Sequence, residues 1–143
     1  MQKILIEKTF NCPVQTLFAW LSDHNNLSQV FAPAKVVRIK DGTDSVNGAG
    51  SVRRLSIPGV PAFEETVTEA ITNERIVYRI SRGSPLRGHQ GVMRFSAVDD
   101  THSRLNYTIE FDSAIPGLAW IVKVLLERSI KKGLERFNRS FKG

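Results

Sequence analysis

Arg53, Glu65 and His89 are the residues of this sequence whose types and positions suit joint chemistry. Arg53 and Glu65 flank a short Pro58-Gly59-Val60-Pro61 turn. Each shares its alternation parity with apolar residues: Leu55 and Ile57 beside Arg53, and Phe63, Val67 and Ile71 beside Glu65, with Glu69 on that parity too. Charges on a core-facing parity are costly unless paired or wetted. Strand pairing across the turn brings Arg53 close to Glu65, so the two can neutralise one another inside a cavity with His89, Tyr78 and Tyr107 nearby. Two alternatives stay open: this end of the sheet is solvent-exposed, or Arg54 and Glu64 take the inward parity instead. His89 shares its parity with Gly91, Met93 and Phe95 and can point inward. As a general acid or base it needs a carboxylate within reach, for which Glu65 is the candidate; a polar histidine at a strand rim is the other reading.

Other chemistry finds little support. His24 and His102 fall at an expected helix end and turn, where they are expected to face solvent. The three histidines have no metal-site spacing, and the single Cys12 cannot help form a zinc cluster. No metal and no cofactor are expected. Cys12 precedes Pro13 at a helix start, where a thiol can be activated, but no second catalytic residue accompanies it and a structural role is expected. A lone cysteine forms no intramolecular disulfide, which fits a reducing compartment. Gly42, Gly48 and Gly50 are followed by a strand and by no GK[ST], which excludes a phosphate-cradling loop. A dinucleotide fingerprint and a Gly-x-Ser-x-Gly elbow are also absent.

The elements that must position these residues follow from periodicity. Ile4, Ile6 and Lys8 alternate with Leu5, Glu7 and Thr9 in a short first strand, broken by Asn11-Cys12-Pro13. Val14, Leu17, Phe18 and Leu21 then repeat at helical spacing to about Ser22-Asp23, and residues 25–31 suggest a further helical turn before Ala32-Pro33. From there the period changes to two, predicting strands over 36–40, 49–57, 63–71, 75–82, 87–98 and 103–112. Connections this short imply an antiparallel meander. Alternation of Ile76, Tyr78 and Ile80, of Met93, Phe95 and Ala97, and of Leu105, Tyr107, Ile109 and Phe111 gives one apolar face and one wet face.

Residues 115–141 read as one long amphipathic helix, with Leu118, Val122, Leu126, Ile130, Leu134, Phe137 and Phe141 on a single stripe and Pro116 in its first turn. Its length is roughly 40 Å at the α-helical rise, enough to cross a sheet. The predicted class is α+β: a twisted seven-stranded antiparallel sheet around a long C-terminal helix, with one or two short helices after the first strand.

At 143 residues, with 41% hydrophobic and 24% charged, one domain over 1–143 is expected. The N-terminal apolar run is too short for a signal peptide and the longest run is well below a membrane span, so no transmembrane segment and a cytoplasmic location are expected. Charge is uneven. Residues 115–143 carry seven Lys or Arg (Lys123, Arg128, Lys131, Lys132, Arg136, Arg139 and Lys142) against Glu127 and Glu135, which is +5 of the net +6. This face either is solvated and suits the helix dipole, or attracts nucleic acid, a ribosome or an anionic membrane through Arg128, Lys131, Lys132 and Arg139. Phe137 and Phe141 lie on the apolar stripe and are not interleaved with the charges as base-stacking aromatics are. Trp120 and Val124 lie opposite the stripe, so the first half of the helix is apolar almost all round: loop-covered, a ligand portal, a dimer surface or a membrane contact. Monomer and homodimer both remain open.

Phe18-Ala19-Trp20-Leu21-Ser22-Asp23, Gly48-Ala49-Gly50-Ser51-Val52-Arg53-Arg54-Leu55, Glu65-Thr66-Val67-Thr68-Glu69, Tyr78-Arg79-Ile80, Pro85-Leu86-Arg87-Gly88 and Pro116-Gly117-Leu118 occur in this order along nearly the whole chain. In that order they resemble the polyketide cyclase/dehydrase-type members of the START-like (SRPBCC) superfamily. The resemblance implies the helix-grip fold, a curved seven-stranded sheet around a long C-terminal helix, with a deep cavity that in many members holds a hydrophobic ligand. It does not imply one chemistry. Relatives often carry a proline- and tryptophan-containing segment after the first helix, where this chain has Leu27-Ser28-Gln29-Val30-Phe31, with Phe31 as a substitute wall.

The expected function is binding of a small hydrophobic or aromatic molecule, lipid-like or polyketide-like. Tyr78, Met93, Phe95, Tyr107, Ile109 and Phe111 are expected on one wall and Leu118, Val122 and Leu125 on the other. Phe31, Leu55 and Val67 extend the site, and Arg53, Glu65 and His89 orient the guest. Cofactor-free cyclase or dehydratase chemistry through His89, Glu65 and Arg53 is the alternative. A third reading, like the ribosome-association toxin or coenzyme Q-binding relatives, uses the basic helix face.

Overall fold

A computed structural model describes residues 1–141. Seven strands form one antiparallel sheet in the order β1-β7-β6-β5-β4-β3-β2: β1 (Gln2–Phe10), β2 (Lys35–Lys40), β3 (Val52–Ile57), β4 (Val60–Ile71), β5 (Arg75–Arg82), β6 (Leu86–Ala97) and β7 (Ser103–Ser113). Between β1 and β2 come α1 (Val14–Ser22), a 3-10 turn (His24–Asn26) and the single-turn α2 (Leu27–Val30); α3 (Leu118–Arg139) follows β7. This is the helix-grip arrangement. The meander from β2 to β7 follows from tight connections, and β1 joins at the far edge against β7, with Ile4 opposite Ile109 and Ile6 opposite Tyr107.

The concave face carries the core. Ile4, Ile6, Leu55, Val67, Ile76, Tyr78, Met93, Leu105, Tyr107, Ile109 and Phe111 are all buried on alternating positions, as the pleat requires. Against them lie Leu17 and Leu21 of α1, Leu27 and Val30 of α2, and Ile130, Leu134 and Phe137 of α3. Phe137 stacks on Trp20 with ring centroids 4.0 Å apart, locking the end of α3 to α1. Gly133 lets α3 touch α2, because a Cβ there would lie 2.6 Å from Val30 Cα and from the Gln29 carbonyl oxygen. At the same crossing Arg136 donates to that Gln29 oxygen at 2.9 Å, and Ser129 donates to the Ala32 carbonyl.

Three local expectations change. The helix begins at Leu118 and not at 115, because Gly117 takes a left-handed φ of 79° that helical geometry does not allow, leaving Pro116 outside the first turn. β3 begins at Val52 and not at 49: Gly50 has φ 89° and Ser51 N–H turns back to the Gly48 carbonyl, so the chain is still in a turn. In β4 the register shifts between Val67 and Glu69. A bulge resets the side-chain alternation, so Glu69 is half-buried beside Arg75, Ile71 is exposed, and Ala70 packs on the core in their place.

Candidate functional site

Between the concave face and the first half of α3 lies a cavity of about 540 Å³. Strands contribute Leu55, Ile57, Phe63, Ile80 and Phe111; α3 contributes Leu118, Val122, Leu125 and Leu126. Phe31, Pro33 and Ala34 close one side, and the link from Gly83 to Leu86 another. The lining is almost wholly apolar. Hollows elsewhere are lined by charges, one at Glu74, Arg75 and Arg94 and another at Glu7, Lys8 and Lys131.

Glu65, Tyr78 and His89 gather on this lining. Arg53 and Glu65 are direct partners in the β3–β4 register, so the sheet sets the two side chains face to face. Arg53 Nε donates to Glu65 Oε1 at 2.8 Å, with the side chains only 3% and 6% exposed. The alternative inward pair, Arg54 and Glu64, stands on the outer face, 53% and 20% exposed and 3.5 Å apart. The Arg53 guanidinium also lies 4.3 Å from the centroid of the Tyr78 ring. Tyr78 and Tyr107 share a hydroxyl–hydroxyl hydrogen bond beneath it. Burial holds both phenols above their ordinary range, so they stay neutral at physiological pH.

Tyr78 can lie across β6 only because its register partner is a glycine: a Cβ on Gly91 would fall 2.2 Å from the Tyr78 ring. His89 sits two residues earlier on β6, its ring between Tyr78 and Phe111. The Ile80 N–H donates to His89 Nδ1 at 2.9 Å. That bond requires Nδ1 to be unprotonated, so Nε2 carries the proton of the neutral ring. Burial pushes the His89 pKa below 6.5; Glu65 opposes that shift and Arg53 adds to it. His89 Nε2 and Glu65 Oε2 stand 3.8 Å apart, a donor and an acceptor too distant to bond each other directly.

Of the fifteen residues expected to contact a ligand, nine border this cavity: Phe31, Leu55, Glu65, Tyr78, His89, Phe111, Leu118, Val122 and Leu125. Arg53 stands behind Glu65, off the lining. Val67, Met93, Tyr107 and Ile109 share the concave face but are packed solid in the core. Phe95 meets Phe18 edge-on at 5.1 Å, because α1 covers that end of the sheet. Sequence reasoning missed Phe63, Ile80, Leu86, Leu126 and Ser129. Leu126 was on the apolar stripe and Phe63 and Ile80 on the inward parities, so periodicity carried a signal for three of them.

His24 faces the interior and not solvent. The Asp23 side chain caps the following 3-10 turn, accepting from Asn25 N–H at 3.0 Å, and this turns His24 under the entry to β3, fully buried. Its Nε2 lies 3.1 Å from Ser51 Oγ, which donates to the Gly48 carbonyl at 2.6 Å; Nε2 is therefore the donor, and Nδ1 has no partner. Burial, with Arg53 and Arg38 nearby, lowers the His24 pKa to about 3. Cys12 is buried 3.9 Å from Ser103 Oγ, and burial raises its thiol pKa. Among the described residues no group of three or more His, Cys, Asp or Glu is placed to hold a metal.

On the outer face of α3, Lys131 pairs with Glu127 at 3.2 Å, Arg139 with Glu135 at 3.5 Å, and Lys8 of β1 with Glu135 at 2.5 Å. Lys142 lies outside the described residues. Among the described residues no loop covers the apolar first half: Trp120, Ile121 and Leu125 are each half or more exposed, and of the three Leu125 borders the cavity. No helix among the described residues is long and apolar enough to cross a membrane.

Residues 1–142 match the family model described as polyketide cyclase / dehydrase and lipid transport. The fold is similar to that of a START superfamily protein from Mycobacterium smegmatis, at 14% identity and a TM-score of 0.79, covering 98% of this chain and 99% of that one. It is also similar to a Streptomyces aromatase/cyclase (17% identity, TM-score 0.69, 97% and 90% covered) and to a Thermobifida fusca protein (17%, 0.72, 97% and 95%). A comparison with curated proteins finds none that matches.

Proposed function

The chain belongs to the polyketide cyclase / dehydrase and lipid transport family, and on that premise we propose that it binds a small apolar or aromatic molecule between its sheet and α3. The observation that carries this reading is the cavity of about 540 Å³, apolar on nearly every side, with its buried polar groups gathered at Glu65, Tyr78 and His89. Small-molecule sites have this composition: apolar walls supply affinity and a few polar groups supply orientation. A guest that buries roughly 300 Å² of apolar surface gains about 7 kcal/mol from leaving water, before the cost of its immobilisation.

Titration with N-phenyl-1-naphthylamine, an uncharged aromatic fluorophore, tests the reading. Saturable, one-site enhancement is expected in the wild type. Val122→Trp, which places an indole on the cavity wall, should abolish it while leaving the melting temperature within a few degrees. Equal binding by both proteins places the fluorophore elsewhere and refutes the reading.

A second reading, cofactor-free lyase or isomerase chemistry, is favoured by the donor at His89 Nε2 and the acceptor at Glu65 Oε2, 3.8 Å apart on the cavity wall. Native mass spectrometry of the purified protein separates the two. A co-purified molecule recovered after incubation with both mass and chromatographic retention unchanged supports a carrier, and one with either altered supports an enzyme, since an isomerase leaves the mass the same.

A further inference from the structure

We infer that Glu65 and His89 together hold a hydroxyl group of the guest, a phenol, enol or alcohol, and discriminate against a carboxylate. The inference rests on the binding role proposed above and specifies the chemistry of the guest.

The hydrogen-bonding polarity of each atom follows from its neighbours. Glu65 Oε1 accepts from Arg53 Nε, so Oε2 is the carboxylate oxygen left facing His89. His89 Nδ1 is occupied by the Ile80 N–H, so its remaining nitrogen is a donor. The lining thus presents one acceptor and one donor, 3.8 Å apart, on side chains 6% and 5% exposed. An oxygen placed about 2.8 Å from each atom closes a triangle on that edge. Such an oxygen must donate to Oε2 and accept from Nε2, and a hydroxyl is the simple group that does both.

Other polar groups leave one partner unsatisfied or opposed. A ketone or ether accepts from His89 but offers nothing to Glu65, leaving a buried acceptor unpaired. An ammonium donates to Glu65 but meets the donor of His89. A carboxylate brings a second negative charge against Oε2, and the nearest guanidinium, Arg53, lies behind Glu65 and off the cavity wall. The positions of the three side chains are fixed by the β3–β4 register, by Arg53 and by the Ile80 backbone, so the wall is pre-organised for one kind of guest.

Displacement of N-phenyl-1-naphthylamine by naphthalene, 2-naphthol, 2-methoxynaphthalene and 2-naphthoate tests this. A purely apolar cavity prefers naphthalene to 2-naphthol, since the hydroxyl must be desolvated. With the two hydrogen bonds formed, 2-naphthol should bind about tenfold more tightly than naphthalene. The methoxy compound, which accepts but cannot donate, and the naphthoate should both lack that advantage. In His89→Phe the preference for 2-naphthol over naphthalene should fall below about threefold. Equal affinity for naphthol and naphthoate, or a naphthol preference that survives His89→Phe, overturns the inference. The four ligands on wild-type protein decide the matter even if the variant does not fold. If the fluorophore does not bind at all, the cavity reading fails and this inference fails with it; if it binds but the four ligands do not differ, only the hydroxyl specificity is lost.

Discussion

Replacing Arg53 with methionine is the sharpest test of how the polar side of the cavity is held. The substitution keeps an unbranched side chain but removes the guanidinium that donates to Glu65 at 2.8 Å and lies over the Tyr78 ring. Glu65 is then a carboxylate only 6% exposed, facing His89, with its ion-pair partner gone. Breaking a buried pair by deleting one partner costs about 3–5 kcal/mol, because the survivor keeps its desolvation penalty. That is a large part of the roughly 5–15 kcal/mol that holds a domain folded. With a urea dependence of about 2 kcal/mol per molar, the unfolding midpoint should drop by roughly 2 M. Arg53→Met/Glu65→Leu removes both charges and should recover most of the loss, since apolar replacement of a buried pair is often neutral. Arg54→Met, on the outer face beside Glu64, provides the control and should cost under about 1 kcal/mol. Urea unfolding followed by tryptophan fluorescence reads all three. An Arg53→Met midpoint indistinguishable from wild type, or a double variant as unstable as the single, would falsify the claim that the pair is buried and coupled.

Acid should act through His24. Its pKa is about 3 in the folded protein against the ordinary 6.5, so between those values the unfolded chain holds the extra proton. The contribution is complete above pH 6.5 and is lost on acidification toward 3, by as much as about 5 kcal/mol. Burial lowers His89 in the same direction. Melting temperatures at pH 7, 5 and 4 should converge between wild type and His24→Gln as the pH falls; parallel curves would rule this out. Gly91→Ala forces a methyl against the Tyr78 ring and should destabilise by about 1–3 kcal/mol, with partial rescue by Tyr78→Leu, read by calorimetry. Gly133→Ala should improve helix propensity by up to about 1 kcal/mol yet lower the melting temperature, because its methyl meets the backbone of α2; a higher melting temperature would mean that α2 yields without cost.

Periodicity carried the architecture, because both repeating patterns in this chain are strong. The apolar stripe from Leu118 to Phe137 and the alternation in β5, β6 and β7 each admit one placement, and short turns leave only a meander. The buried Arg53–Glu65 pair was legible as two charges on apolar parities flanking a turn. What escaped was local. The bulge after Val67 and the left-handed Gly117 are single-residue backbone events that side-chain patterns do not encode. His24 escaped because its burial depends on Asp23 capping the next turn and on Ser51, twenty-seven positions away, supplying the partner. The lining was half legible for a different reason. Parity tells which face a side chain is on, but not whether that part of the face is covered by α1, as at Phe95, or left open beneath α3, as at Phe111.

The hollow itself follows from how α3 meets the rest of the fold. In its second half Ile130, Leu134 and Phe137 are buried, Gly133 brings its backbone against α2, and Trp20 stacks on Phe137. In its first half the stripe residues Leu118, Val122 and Leu126 are only partly buried and border open space. One helix therefore closes a core at one end and roofs a cavity at the other, with tight packing at Gly133 holding its second half against α2. The Arg53–Glu65 pair and His89 lie on the strands facing the roofed part, while the core below is packed with Tyr107, Ile109 and Met93. Filling the cavity with larger aliphatic side chains would bury more apolar surface, but would also enclose the unpaired acceptor and donor of Glu65 and His89. The polar pair and the open space are thus mutually dependent: the space permits those groups to stand unbonded, and a solid core there would leave both without partners.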